Sequence, residues 1–335
     1  MKTIHWFIIW LIVVIFPTGC KDKYISPVIK SPTDYLVVEG FINTGSGPTG
    51  FTLSRATGLD SPYVLPEYGA SLSVESTNGD VFPLTEQGNG RYTVDQLTVD
   101  FSQQYRLHII TGDRQEYLSD FSSPKLAPPI DSISWKATAD GVWIYVTTHD
   151  PSDLSRYYQW KYDETWEYAA RFTSYIKYLG SGQFATRTPE EMIHICYMDL
   201  PSSTIAIGSS EKLKEDILYE YPLVFIPYAT SDKLVRKYSI LVKQYVLTKD
   251  WFEWESILKK NTEQLGSIFD AQPSDISGNI HNIYNPKEKV LGFVGCTSET
   301  EKRIFISRSE LPQTYIYTGY EDCVPDTALN SHVAD

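Results

Sequence analysis

Eleven consecutive apolar residues, Trp6 to Phe16, open the hydrophobic pattern of the chain, and no later stretch repeats such a run. A bilayer-spanning helix needs roughly 20 apolar residues. A shorter core behind a positive residue, here Lys2, suits a secretory signal peptide. Thr18 and Gly19 are small and precede Cys20, which places the expected cut of a 1–19 leader just before that cysteine. Bacterial lipoproteins are processed in this way and carry lipid on the thiol, although Pro17 stands where their signature has an aliphatic residue. Residues 20–33 hold Pro27 and Pro32 and show no periodicity, so they read as a lipidated tether.

From Asp34 the pattern becomes short alternating runs divided by turn residues. YLVVEGFIN (35–43), with Gly40 as an expected bulge, FTLSR (51–55) and ASLSVES (70–76) each place apolar residues on one face. The Asn-Gly of TNGD (77–80) predicts a two-residue hairpin into DVFPLTE. RYTVD, QYRLHIITG (104–112) and QEYLSDFSS (115–123) complete about seven strands, the count of an immunoglobulin-like β-sandwich over 34–125. SPKLAPPID (123–131) carries three prolines and predicts a stiff spacer, so a fragment ending near Lys125 is expected to fold alone.

Residues 126–325 predict a larger β-rich domain with one or two helices. SISWKA, GVWIYVTT and RYYQWKYDETWEY alternate strongly, with Trp143, Tyr145, Tyr158, Trp160 and Tyr162 at period two. SSEKLKED (209–216) suggests a short helix. TKDWFEWESILKKNTEQLG (248–266) suggests a longer one, capped by Thr248 or Asp250 and stopped by Gly266. Its stripe of Trp251, Trp254, Ile257 and Leu258 is expected to be buried, and Lys259 to be dispensable. RKYSILVKQYVLT (236–248), VLGFVGC and KRIFISR read as further strands, and 326–335 as a loose tail. The fold class is therefore mainly β.

Composition adds limits. The formal charge of −13 becomes −14 once Lys2 is removed with the leader, which leaves 316 of 335 residues. That acidic balance argues against nucleic-acid binding, which needs a basic patch. Cys196, Cys296 and Cys323 permit one disulfide in an exported chain, with three pairings open. The GxGxxG of GSGPTG (45–50) is broken by Pro48 and precedes a strand, so it is a hairpin loop and not a dinucleotide site. No GxSxG, HExxH or Walker pattern occurs. His108, His149 and His194 are expected to be structural, and no metal or cofactor is expected.

Three stretches together are distinctive: YLVVEGFINTGSGPTGFTLSR, KYSILVKQYVLTKDWFEWESILKKNTEQLGSIFDAQPSDISGNIHN and KRIFI. They resemble a Bacteroidota lipoprotein family known only as domain of unknown function 4249. The resemblance implies a lipid-anchored, two-part β-protein encoded beside TonB-dependent outer-membrane transporters. It brings no catalytic residues. Lys21 and Asp22 after the cysteine resemble the start of surface-exposed lipoproteins. In the middle block, DAQPSDISGN (270–279) offers a contact site through Asp270, Gln272, Ser274, Asp275 and Asn279.

The expectation is a non-enzymatic protein held at the outer membrane, facing the cell surface, through lipid on Cys20. It would partner a TonB-dependent nutrient transporter by ligand capture or support. The alternative is an independent cell-surface binder of glycan or peptide. Because one acyl chain binds membranes only marginally and two or more anchor stably, Cys20→Ser should release the chain from the membrane fraction. Tight co-sedimentation of that variant with outer membranes would overturn the leader reading.

Overall fold

A computed structural model describes residues 34–57, 63–263, 276 and 278–323. The expected leader (1–19), tether (20–33) and tail (326–335) lie outside the described residues. The described chain is mainly β, with several sheets and one α-helix.

The first unit is a single curled sheet. The Val81–Gly88 strand pairs with Ser71–Ser76 on one side and Arg91–Val94 on the other, joining two halves of the sheet. Alternation explains the folding over. Leu36, Val38, Phe51 and Leu53 come from one half, Leu72, Val74, Leu107 and Ile109 from the other, and all are buried in one cluster. This closure is consistent with a sandwich.

Two local expectations change. Gly40 sits in an unbroken register opposite Phe51, so it is no bulge. Its φ of +139° and a Gly50 carbonyl 2.4 Å from where a Cβ would stand require glycine there. The Asn-Gly turn is not a two-residue hairpin either. Gly79 N–H donates to the Ser76 carbonyl and only Gly79 has positive φ, which gives a three-residue loop with a bulge.

The second unit packs a three-stranded sheet, Ile130–Ala137, Gly141–His149 and Ile217–Pro227, against a sheet centred on Tyr157–Ala169 and Lys237–Val246. Ile144, Val146, Trp160, Ile240 and Val242 fill the space between them. The period-two aromatics divide by face. Tyr158, Trp160 and Tyr162 point into this core. Trp143 and Tyr145 lie on the outer face, where Trp143 meets Phe225 at 4.9 Å. Residues 209–216 form no helix. They make a tight excursion held by the buried Asp216 carboxylate, which accepts from Ser210 and, at 2.8 Å, from the Tyr158 hydroxyl.

The boundary near residue 125 does not divide two separate cores. Ile280–Asn282 pairs with Glu116–Ser119, while Val290–Leu291 and Cys296–Thr297 both run parallel to Leu36–Asn43. Ile280, Val290, Val294 and Cys296 are buried in the first core. The chain then re-enters the second unit as Thr300–Ser307, beside Lys237–Val246. The proline stretch is no free spacer. Lys125 N–H donates to the Cys296 carbonyl, Ala127 N–H to the Ser298 hydroxyl, and the Gln244 amide to the Pro128 carbonyl. VLGFVGC reads as a strand from its sequence, but pieces of two or three residues carry no sign of which distant strand they join.

A fragment 34–125 therefore lacks part of its core and should not unfold cooperatively in urea. Joining residues 278–298 to it by a flexible linker should restore a sigmoidal transition. A cooperative transition in the short fragment would refute the shared core.

Candidate functional site

The helix Lys249–Glu263, α1, lies on the seam between the two units. Thr248 caps it: its hydroxyl accepts from Trp251 N–H and its carbonyl from Phe252 N–H. Trp251 is buried against Gly295, where a Cβ would come within 2.1 Å of the indole, and stacks on Phe293 at 5.9 Å. Trp254, Ile257 and Leu258 are only half-buried. The second buried side chain of the helix is Glu255, to which the sequence pattern assigns no role. Position 255 follows Trp251 by four, so helical spacing puts it on the same face. Its charge hid it. Lys259 is not idle, since its ammonium donates to the Ile205 carbonyl at 2.6 Å.

Two cavities flank α1 and share Trp254 and Phe293 as walls. The larger, about 750 Å³, opens between the first turns of the helix and the Asp120–Ser123 segment. Its charged groups, Lys125, Arg156, Lys249, Asp120, Asp250 and Glu253, are of mixed sign. The smaller, about 370 Å³, lies on the Glu255 side, against Gln159 and Lys161 of the Tyr157–Ala169 strand. The Gln159 amide donates to Glu255 Oε1 at 2.9 Å. Burial pushes the Glu255 carboxyl above the ordinary carboxylate range, against the opposing hydrogen bond from Gln159 and the charge of Lys161.

Of the expected contact residues, Asp270, Gln272, Ser274 and Asp275 lie outside the described residues. Asn279 is buried on the wall of the larger cavity, but its side chain is already engaged. Its amide donates to the Val294 carbonyl at 2.9 Å and its oxygen accepts from Val294 N–H at 2.8 Å. The histidines do not converge. His108 lies between Glu75 and Glu116 at 2.7 and 2.8 Å, and His149 against Asp131. Among the described residues no group of three or more His, Cys, Asp or Glu side chains is placed to hold a metal ion. All three described thiols are free, and burial pushes that of Cys296 up to about 12.

A different kind of surface occupies residues 172–200. Eleven large apolar side chains are exposed within this span, among them Tyr178 at 63%, Phe184 at 65% and Tyr197 at 67%. The hairpin Ile176–Gly180/Gln183–Thr186 carries one part and is tied back by the Lys177–Glu191 ion pair. The other part is Ile195–Pro201, an edge strand paired on one side only, with Tyr157–Ala169. Native proteins usually blunt such edges with charge or cover them. Asp199 is the only charged residue in this one.

The sequence profile of one family matches residues 22–303. The chain belongs to the DUF4249 family, a domain of unknown function. The DUF4249 match begins two positions after Cys20 and ends inside Thr300–Ser307, so it takes in both units, α1 and the apolar span. Comparison with curated proteins returns no match.

Trp251→Ala should cost about 3–5 kcal/mol, as expected for emptying a buried aromatic site, and Trp254→Ala distinctly less. Equal losses in urea unfolding would refute the difference in burial. Glu255 binds its proton more tightly folded than unfolded, so stability declines as pH rises from the ordinary carboxylate range through the folded value. Glu255→Gln should flatten that decline and raise Tm at neutral pH; an unchanged profile would show that Glu255 carries no such cost.

Proposed function

We propose that this DUF4249 chain is a non-enzymatic, lipid-anchored accessory protein of the outer membrane, facing the cell surface, that docks onto a TonB-dependent nutrient transporter. One observation carries the reading: the exposed apolar span 172–200, with its open edge strand. Exposed apolar side chains concentrated in one stretch of chain offer area for a partner to cover. An edge strand adds a row of unpaired backbone groups onto which a partner strand can pair. The expected lipid on Cys20 and the family's transporter association supply the membrane setting. His108 and His149, each hydrogen-bonded to carboxylates on its own sheet, support a role without turnover. A second reading, an independent binder of glycan, draws on the aromatic-walled cavity beside α1.

Mild crosslinking and detergent extraction of the native protein, followed by identification of co-purifying proteins, tests the docking reading. Phe184→Glu with Tyr197→Glu should reduce transporter recovery by more than tenfold, because interface aromatics often contribute 2 kcal/mol or more. Being exposed, both changes should leave Tm nearly unchanged. Recovery equal to wild type, or a protein that extracts alone, would sink the proposal.

A further inference from the structure

The smaller cavity beside α1 combines features that a packed seam does not need. Phe41, Tyr245 and Trp254 supply aromatic wall, and Glu255 and Gln159 bring a hydrogen-bonded carboxyl and amide to it. Lys161 is exposed, with its ammonium 5.9 Å from the Tyr245 ring centre, and Glu39 is exposed on the same lining. The Tyr245 hydroxyl is engaged with Glu299. The Trp254 indole N–H is buried and has no acceptor among the described residues. A buried donor left without an acceptor costs about 1–3 kcal/mol, so a ligand oxygen that reaches this N–H, with the small shift of the wall that exposes it, adds to binding.

Charge narrows the ligand. Burial favours the neutral form of Glu255, so an anion gains Lys161 but meets Glu39, and a cation gains Glu39 but meets Lys161. A ligand without net charge that can both donate and accept is opposed by neither. Aromatic walls favour a flat face of C–H groups, and a cavity of about 370 Å³ is at the small end of ligand pockets. We propose that this cavity binds a neutral, polyhydroxylated ring, a mono- or disaccharide. Its C–H faces pack on Phe41 and Tyr245, one ring oxygen or hydroxyl accepts from the Trp254 indole, and other hydroxyls bond Glu255, Gln159 and Lys161. The inference gives the glycan reading a site and uses no residue of the 172–200 face, so it stands or falls separately from the docking proposal.

Tryptophan fluorescence and titration calorimetry on the full chain in detergent test it. The probes are glucose, galactose, mannose, N-acetylglucosamine, maltose, cellobiose and lactose, with glucosamine and glucuronate as charged counterparts. At least one neutral sugar should saturate, more tightly than either charged one. Trp254→Phe keeps a ring but removes the N–H, and should weaken that binding about tenfold, the equivalent of 1.4 kcal/mol. Glu255→Leu should abolish it. If Glu255→Leu does not fold, the exposed change Lys161→Met serves instead and should weaken binding. The docking-face variant Phe184→Glu should bind like wild type. No saturation by any neutral sugar, tighter binding of a charged one, or full affinity in Trp254→Phe would overturn the proposal.

Discussion

Parallel strands cannot be joined by a short turn, because the chain must cross over to start the second strand from the same end. The Leu36–Asn43 strand has two such parallel neighbours, both from residues 290–297, and most of the second unit is built in the crossover. Much of the rest follows from this pairing. It closes the first core with Val290 and Cys296, draws the proline stretch into hydrogen bonds with residues 296–298, and brings the chain past α1 twice. Each unit is therefore assembled from two separate stretches of sequence. The helix lies over this seam and buries Trp251 against Gly295 and Phe293, which belong to the returning segment.

The strands that could be read from sequence are those with one buried face. Leu72 and Val74, or Tyr158, Trp160 and Tyr162, alternate because water is on one side and core on the other. VLGFVGC (290–296) reads as a strand, but its two short pieces, Val290–Leu291 and Cys296–Thr297, pair with Leu36–Asn43, a distant partner that no local pattern names. The helix was legible from its cap and its stripe, but the stripe mixed Trp251, which is buried, with Trp254, which is not. Glu255 was invisible for the opposite reason: a carboxylate is normally assigned to water, and here Gln159 gives it a partner indoors. The exposed apolar span was also beyond reach. Alternation in ICYMDLP predicts a strand equally well whether its apolar face is covered by the chain itself or left open.

The apolar span and the cavity beside α1 have opposite physical characters. The 172–200 span leaves apolar area in water and open backbone groups along an edge, so its gain comes from covering area. The cavity beside α1 already hides polar groups from water, and its gain comes from completing hydrogen bonds. They use different elements, and the Tyr157–Ala169 strand links them. Its first half supplies Gln159 and Lys161 to the cavity, and its second half pairs with the edge strand. One rigid strand thus sets the position of both.

The placement of Leu36–Asn43 also has a mechanical consequence. With the anchor proposed at Cys20, this strand takes the load first, and it is flanked on both sides, by Thr49–Arg55 and by the two returning strands. Tension applied at the N-terminal end along the strand must slide it past its neighbours, breaking many hydrogen bonds together. A terminal strand at a sheet edge would instead peel away one bond at a time under a sideways pull. A body held by its first residues against moving fluid is strongest when that grip is in shear, and the crossover that complicates the topology is what clamps the strand on its second side.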